Sequence, residues 1–402
     1  MVVARDVDRA SVIEEETRAQ LGTYAKLPIV AVRGDGIMLF DADGRAYYDF
    51  YCGHAVTMLG HCHPRVVEAI QKQAARLIFY SNIVYNDVRA TYALALTSVA
   101  PEGYGQVFFC NSGAEANETA LKLSRKYTGK TRIIALQGAF HGRTTGALAM
   151  TDNNKYKQGF EPLLPGVQFA PFGDLQAVEA AMGDDAAAVI LEPVQSIAGV
   201  RVADAGFYRG LRELCAKRGA LLIFDEIQTG LGRTGRLWAG EHWGVVPDII
   251  TLAKGIAGGL PMGAALVSTR VAQTVKQDEH GSTFGGGPLV CAAALATLQT
   301  ILEEDLCTHA GEMGDLLKAE LGGLPHVQEV RGMGLLLGLR LDVPAKDVHA
   351  AVLEKGVILG TSADPNVLRL MPPMVVTRDD IGHLVSVMSD VLTNMPEGAQ
   401  AP

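Results

Sequence analysis

The stretch ALLIFDEIQTG, residues 220–230, is the strongest indication of the fold, because five apolar residues are followed at once by two acidic ones. A second stretch, IITLAKGIAGG at residues 249–259, has a lysine directly after an equally apolar run. Runs of this kind are typical of strands that are buried on both faces of a parallel sheet. Ligands bind beyond the carboxyl ends of such strands. Asp225 and Lys254, which follow the two runs, are therefore the first candidates for a functional site.

Working outward, further short apolar runs alternate with helical segments such as residues 207–218. These runs cover residues 106–110, 132–136, 187–191 and 264–268. The alternation predicts an α/β sheet with helices on both faces. The two ends of the chain do not show this alternation. Near the N-terminus, residues 29–50 predict a β-hairpin. Residues 310–395 predict a mixture of helices and strands. The predicted helices are at 310–321, 347–354 and 378–392, and the predicted strands are near 334–341 and 367–371.

Composition excludes several classes of protein. The chain has 402 residues, a net charge of −9 and no block of Lys and Arg, which argues against nucleic acid as a partner. The sequence contains no run of about 18 apolar residues, so it predicts no membrane-spanning helix. The charged N-terminus does not look like a secretory signal. The six cysteines are scattered without a CxxC pair, which predicts reduced thiols, no metal site and a cytoplasmic protein.

Three strand ends carry the chemistry. After the run at 106–110, the turn Ser112-Gly113 precedes a helix and would offer backbone N–H groups to an anion. Asp225 would be costly at the end of a buried strand unless it pairs with a cation or hydrogen-bond donors. Lys254, in a glycine-rich loop, would have a pKa lowered by burial and react with an aldehyde.

Each of these features has a plainer explanation when it is taken alone. The turn is compatible with an ordinary helix cap, Asp225 with a structural salt bridge, and Lys254 with a loop lysine. Together, however, a phosphate-binding turn, an acidic strand end and a lysine strand end are the parts that a pyridoxal 5′-phosphate enzyme needs.

The residues also resemble a known family, the class III (ornithine/acetylornithine-type) aminotransferases of the fold-type I pyridoxal-phosphate enzymes. The match covers nearly the whole chain. Its motifs are GHCHP (60–64), NSGAEAN (111–117), FHGR (140–143), DEIQ (225–228), GLGRTG (230–235) and HGSTFGG (280–286). The resemblance implies a large domain at residues 56–309 with a mostly parallel seven-stranded sheet. It also implies a smaller α+β domain built from residues 1–55 and 310–402.

The resemblance implies a role for each matching residue. Lys254 would bind the cofactor covalently and shuttle protons, Asp225 would face its pyridine nitrogen, and Gln228 would reach its phenolic oxygen. Phe140 would stack on its ring. The whole cofactor-binding set would be Ser112, Gly113, Ala114, Phe140, His141, Glu192, Asp225, Gln228, Lys254 and Thr283. The family threonine at position 283 reaches the neighbouring subunit's phosphate, so a homodimer is implied.

Substrate contacts follow in the same way, and the implied set is Tyr24, His54, Arg143 and Arg369. Arg369 would bind an α-carboxylate and Arg143 a distal one, a pair that suits glutamate or 2-oxoglutarate. For each arginine an ordinary surface ion pair is the alternative. For His54 the alternative is a histidine that is simply packed on a turn.

One departure from the family bears on the substrate. The family usually reads EPIQGEGG, whereas this chain reads EPVQSIAG at residues 192–199, so Ile197 replaces a glutamate that pairs with the arginine matching Arg369. Arg369 should then stay available to a carboxylate in both half-reactions, which argues against a strict ornithine δ-aminotransferase. We predict an aminotransferase. A racemase, epimerase or decarboxylating relative on the same scaffold stays open, as does a non-catalytic cofactor- or phosphate-binding protein.

Overall fold

The computed structural model describes residues 8–395. Fourteen helices lie within this range. They are α1 (Arg9–Ala19), α2 (Cys52–Ala55), α3 (Pro64–Arg76), α4 (Asp87–Ser98), α5 (Gly113–Thr128), α6 (Thr145–Met150), α7 (Asn154–Lys157), α8 (Leu175–Met182), α9 (Ala205–Arg218), α10 (Thr269–Ala272), α11 (Pro288–Glu303), α12 (Leu306–Gly322), α13 (Ala345–Glu354) and α14 (Arg378–Thr393). Two 3-10 helices, Ala239–Trp243 and Lys254–Ala257, complete the set within the same residues.

Fifteen strands are formed by these residues. They are β1 (Ala31–Asp35), β2 (Met38–Asp41), β3 (Ala46–Asp49), β4 (Tyr104–Cys110), β5 (Arg132–Leu136), β6 (Val167–Ala170), β7 (Ala186–Leu191), β8 (Leu221–Asp225), β9 (Ile249–Leu252), β10 (Gly263–Ser268), β11 (Val327–Met333), β12 (Leu336–Leu341), β13 (Val357–Ile358), β14 (Gly360–Thr361) and β15 (Val367–Leu370).

The central sheet has seven strands in the order β4-β10-β9-β8-β7-β5-β6. Strand β10 runs antiparallel to both neighbours, and the pairs among β9, β8, β7, β5 and β6 are parallel. Every residue of β7, β8 and β9 is buried, which explains their uniformly apolar sequence. The predicted α/β fold with a mostly parallel seven-stranded sheet is confirmed.

Capping residues determine where the helices that cover this sheet begin and end. In α9, the Asp204 side chain accepts hydrogen bonds from the backbone N–H groups of Gly206 and Phe207. The same helix ends at Gly219, whose left-handed conformation suits glycine. On the helix-covered face the apolar side chains of α9 pack against those of β7 and β8, so the strand ends have fixed positions.

Two four-stranded sheets lie outside the central one, in the orders β1-β2-β3-β13 and β11-β12-β15-β14. The first joins the N-terminal hairpin to a strand near the other end of the chain, because β13 runs parallel to β3. This pairing supports a small domain built from both ends. The boundaries at residues 56 and 310 stay a prediction. Within residues 8–395, no helix has the length and hydropathy needed to cross a membrane.

Candidate active site

The carboxyl ends of β4, β7, β8 and β9 open into one cavity of about 400 Å³. The structure brings most of the predicted cofactor-binding residues to its wall. Those that line it are Ser112, Gly113, Ala114, Phe140, His141, Glu192, Asp225, Gln228 and Lys254, together with Arg143 from the predicted substrate set. A concave site at a strand-end crevice is the expected position for a ligand in such a sheet.

One wall of the cavity is the N-terminus of α5. Ser112 caps this helix, and its hydroxyl accepts a hydrogen bond from the Glu115 backbone N–H at 3.2 Å. Gly113 is the first helical residue, and a Cβ atom there would lie 2.5 Å from Cδ1 of Ile227. A helix N-terminus presents unpaired N–H groups and a partial positive charge. This turn therefore suits a phosphate group.

A buried hydrogen-bond network holds Asp225. Its Oδ2 atom accepts from Nδ2 of Asn117 at 2.8 Å and from Nδ1 of His141 at 2.8 Å. Asn117 in turn accepts at Oδ1 from the Thr251 hydroxyl at 2.7 Å and donates through Nδ2 to the His141 carbonyl at 2.8 Å. Asp225 is 3% exposed. The carboxylate is thus both stabilised and fixed in direction.

Lys254 stands where β9 ends and begins a 3-10 helix with a φ of 48°. A non-glycine residue in this left-handed region is strained, and such residues are enriched at functional sites. Burial lowers the pKa of Lys254, opposed by the charges of Asp225 and Glu192 and assisted by that of Arg369. Its amine therefore loses its proton more readily than a surface lysine does, which favours nucleophilic attack.

Glu192, at the end of β7, is the second acidic group near this amine. Burial raises the pKa of Glu192 to about 7. Its Oε1 atom accepts a hydrogen bond from the Phe140 backbone N–H at 2.9 Å. Glu192 thereby fixes the loop that carries Phe140 at the cavity wall.

Arg369, on β15, is 6% exposed, and its hydrogen bonds go to neutral groups. Nε donates to the Thr361 carbonyl at 2.6 Å, Nη1 to the Ser196 hydroxyl at 3.0 Å, and Nη2 to the Tyr51 hydroxyl at 2.6 Å. Burial lowers the pKa of this guanidinium. No carboxylate among residues 8–395 forms an ion pair with it, as expected where Ile197 replaces the family glutamate.

His54 does not line the cavity, but it contacts the group that holds Arg369. Its Nδ1 atom lies 2.7 Å from the Tyr51 hydroxyl. Because that hydroxyl accepts from Arg369, its own hydrogen is free to go to His54. Burial lowers the pKa of His54, and the charges of Arg369 and Lys254 lower it further. The backbone at Cys52–Ala55 has positive φ throughout, so this is a left-handed turn rather than an ordinary helix.

The remaining predicted residues differ in position. Arg143 stacks on aromatic rings, 3.7 Å from the ring centre of Tyr156 and 5.6 Å from that of Phe140. Tyr24 is 79% exposed, and the structure does not bring it to the cavity. Thr283 is exposed, beside Ser282, whose hydroxyl accepts from Nδ2 of Asn111 at 3.1 Å. Both Tyr24 and Thr283 stay predictions.

Sequence reasoning missed two members of the network that holds Asp225, namely Asn117 and Thr251. Both are fully buried. Thr251 was visible as a polar residue inside an apolar run, and Asn117 as a polar residue one turn into α5. Neither signal identifies a partner, because the two residues lie 134 positions apart in the sequence.

The cavity fits pyridoxal phosphate on several independent observations. The helix N-terminus suits its phosphate, the fixed carboxylate suits a protonated ring nitrogen, and the amine of Lys254 suits its aldehyde. In addition, Nε2 of His141 is buried and has no hydrogen-bond partner among residues 8–395. A buried polar atom without a partner calls for an explanation, and a ligand in this cavity would provide one.

Comparison with known proteins gives the same assignment. The family model "Aminotransferase class-III" matches residues 21–392. An acetylornithine aminotransferase from Methanopyrus kandleri is 47% identical over 92% of this chain and 96% of its own length. One from Methanocaldococcus jannaschii is 43% identical over 95% and 98%.

Solved structures agree. The ornithine aminotransferase of Toxoplasma gondii has a TM-score of 0.92 at 32% identity, with 96% of this chain and 95% of that chain covered. The acetylornithine aminotransferase of Elizabethkingia anophelis has a TM-score of 0.86 at 32% identity, with 97% and 100% covered. A second Toxoplasma gondii structure is described with pyridoxal phosphate at its active site. The prediction of an aminotransferase is confirmed, and the chain belongs to the class III, pyridoxal-phosphate-dependent aminotransferases of fold-type I.

Proposed function

We propose that 2-oxoglutarate is the amino acceptor of this enzyme and glutamate its product, with Arg369 and Arg143 binding the two carboxylates. One observation carries the proposal: Arg143 lines the cavity together with Lys254, Arg369 is close enough for its charge to lower the pKa of Lys254, and neither guanidinium forms an ion pair among the described residues. Guanidinium and carboxylate pair through two parallel hydrogen bonds, which adds both energy and orientation. A five-carbon dicarboxylate fits two such groups better than a monocarboxylate does.

Pyridoxal phosphate, when bound, supplies an aldehyde that takes up an amino group and a ring that accepts electrons. We propose that Ser112, Gly113 and Ala114 bind its phosphate through backbone N–H groups. Asp225, held by Asn117 and His141, would hold the ring nitrogen of the bound cofactor in its protonated form.

The side chains around the ring complete the cofactor site. Phe140 and Gln228 line the cavity, where Phe140 would hold the ring and Gln228 would bind its phenolic oxygen. Glu192 holds the Phe140 loop, and Lys254 carries a proton to and from the reacting carbon. Tyr24 and His54 stay in the proposed substrate set, His54 through its contact with Tyr51.

The overall reaction balances without an outside oxidant. The donor's C–N bond breaks, its carbon loses a proton and leaves as a carbonyl whose oxygen comes from water. The oxo acid then takes the nitrogen, gains a proton on its carbon and releases its oxygen as water. Arg369 and Arg143 orient the two substrates in turn, so one binding site serves both halves of the cycle.

We further propose a cytoplasmic homodimer in which Thr283 contributes to the neighbouring subunit's phosphate site. The exposure of Thr283 and the hydrogen bond from Asn111 to Ser282, which ties this loop to the α5 N-terminus, support the proposal. A dimer should be detectable by light scattering. Thr283→Ala should weaken cofactor binding without dissociating the dimer.

The proposal is tested by the bound cofactor's visible absorbance. L-Glutamate alone should abolish the visible band, and 2-oxoglutarate should restore it. Lys254→Ala should lower turnover by about a thousandfold or more, whereas Lys355→Ala, which breaks only an exposed ion pair with Asp390, should not. A racemase would instead keep the band and exchange the Cα hydrogen for solvent deuterium, and that result would refute the proposal.

A further inference from the structure

Aromatic rings hold Arg143 in the cavity wall. Among residues 8–395, its guanidinium forms no hydrogen bond and no ion pair, yet the side chain lines the cavity. Its guanidinium carbon lies 3.7 Å from the ring centre of Tyr156 and 5.6 Å from that of Phe140. The attraction between a cation and a ring weakens with distance, so Tyr156 is the main support of Arg143.

The same Tyr156 ring also packs on Phe140, the residue proposed to hold the cofactor ring. The two aromatic rings meet edge to face, with 5.9 Å between their centres and 86° between their planes. This is a preferred geometry for aromatic pairs. Arg143, Tyr156 and Phe140 thus form a compact triangle, in which Tyr156 links the position of the guanidinium to that of the cofactor site.

Two hydrogen bonds tie the segment that carries Tyr156 to the loop that carries Phe140. The N–H of Asp152 donates to the Ala139 carbonyl at 2.8 Å, and Oδ2 of Asp152 accepts from the Gly138 N–H at 2.8 Å. Tyr156 follows four residues later, in the short helix α7. Because the two segments are joined in this way, the Tyr156 ring offers Arg143 a fixed surface.

Support by a ring face leaves the hydrogen-bond donors of the guanidinium free. The five N–H groups of an arginine point outward in the plane of the guanidinium, whereas a stacked ring contacts its flat face. Stacking on Tyr156 therefore holds Arg143 without using the N–H groups that a carboxylate accepts. A carboxylate or carbonyl partner within the protein would compete with the substrate for the same donors.

We propose that Tyr156 is a positioning residue that makes this enzyme select dicarboxylic oxo acids, because its ring holds Arg143 where the distal carboxylate binds. The inference rests on the proposed function, in which Arg143 binds that carboxylate, and adds the residue that sets the selectivity. Tyr156 is not among the residues that line the cavity, so it acts on the substrate through Arg143. Without the ring, only a fraction of the Arg143 orientations would meet the carboxylate, and the affinity would fall by that fraction.

Two oxo acids isolate the contribution of Arg143, since 2-oxobutyrate is 2-oxoglutarate without its distal carboxylate. Enzyme loaded with pyridoxamine phosphate should regain the visible band when an oxo acid is added, whatever the amino donor. In Tyr156→Leu, we expect the half-saturating concentration of 2-oxoglutarate to rise about tenfold, with the maximal rate changed less than about threefold. For 2-oxobutyrate, both values should change less than about twofold.

The outcomes distinguish this inference from the proposed function. Equal losses for the two oxo acids in Tyr156→Leu would overturn the inference. If the unmodified enzyme does not regain its visible band with 2-oxoglutarate, the proposed function is wrong instead.

Two control variants separate the ring face from other causes. Tyr156→Phe keeps the face and removes only the hydroxyl, so the values for 2-oxoglutarate should stay within about twofold. A loss as large as that in Tyr156→Leu would contradict the role of the ring. Phe40→Leu removes a comparable stack, of 3.5 Å on Arg33 in the N-terminal hairpin, and should leave the values for both oxo acids unchanged. If Phe40→Leu matches the effect of Tyr156→Leu, the effect does not depend on Arg143 and the inference is wrong.

A double-mutant cycle shows whether Tyr156 acts through Arg143. In enzyme that already carries Arg143→Gln, Tyr156→Leu should raise the half-saturating concentration of 2-oxoglutarate by less than about twofold. A further tenfold rise would assign Tyr156 another role and refute the inference.

A second variant and a binding measurement keep the test decisive if Tyr156→Leu does not fold. Tyr156→Met fills similar space without an aromatic face, and the same results are expected of it. Spectral titration of the cofactor-loaded enzyme with glutarate and butyrate gives a readout that is independent of turnover. The dissociation constant of glutarate should rise about tenfold and that of butyrate less than about twofold. A parallel rise for both acids would contradict the role assigned to Tyr156.

Discussion

Asn117→Ala is the sharpest test of the buried network that holds Asp225. Asn117 is fully buried and makes three hydrogen bonds, to Asp225, to the His141 carbonyl and from Thr251. The bond to the carboxylate is worth about 2 kcal/mol and each neutral bond about 1 kcal/mol. The free energy of unfolding should therefore fall by about 3 to 4 kcal/mol, and the Asp225 carboxylate should lose a fixed direction.

The matched control is Thr251→Val, which removes a single neutral hydrogen bond of 2.7 Å and keeps the shape of the side chain. It should cost about 1 kcal/mol. Urea unfolding of the cofactor-free protein measures both values, and absorbance titration with pyridoxal phosphate measures affinity. We expect weaker cofactor binding in Asn117→Ala and nearly unchanged binding in Thr251→Val. The reasoning is refuted if the two variants lose equal stability and bind the cofactor equally well.

Three further outcomes are expected. Burial raises the pKa of Glu226 to about 8. Protonated Glu226 therefore contributes to the stability of the folded state. This contribution is fully present below pH 4.5, the usual pKa of a glutamate, and is lost as the pH rises through about 8. Glu226→Gln should remove that loss, up to about 4 kcal/mol at pH 8 by urea unfolding across pH. Gly360→Ala would overlap the Tyr51 ring. It should raise the KM for 2-oxoglutarate about tenfold with little change in kcat, in steady-state assays. Tyr208→Phe removes two buried hydrogen bonds, one of 2.7 Å to the Pro193 carbonyl and one of 3.1 Å from the Ala203 N–H, and should cost about 2 kcal/mol in thermal unfolding.

The central sheet was predictable because strands that are buried on both faces have almost uniformly apolar sequences. The strands at residues 132–136 and 249–252 were predicted to the residue, and they are β5 and β9. Strand β6 produced no such signal, since it is a four-residue edge strand with only one fully buried position. Strand β11 was missed because polar residues occupy much of its length and none of it is fully buried. A strand that is exposed on one side does not need a continuous apolar run.

The cofactor-binding residues were predictable for a related reason. Ser112, Glu192 and Lys254 follow closely on strands, so sequence position points to them, whereas Phe140, His141, Gln228 and Thr283 were predicted from the family resemblance. Position in the sequence does not predict the contacts around Arg369 in this way. Tyr51 and Arg369 lie 318 residues apart and meet only because the N-terminal segment folds against β15. The left-handed turn at Cys52–Ala55 was not predictable either, since three of its four residues are not glycine.

Proximity to Lys254, rather than the lack of a carboxylate alone, separates Arg369 from Arg233. Arg233 is fully buried and is also bound to neutral acceptors, the carbonyls of Leu335 and Pro372. Neither arginine is among the residues that line the cavity, and the thiol of Cys52 also interacts with Arg233. Arg369 retains some exposed surface, and its charge acts on Lys254. The buried charge is therefore a cost to folding at Arg233 that the carbonyl groups partly offset, whereas at Arg369 it also lowers the pKa of Lys254.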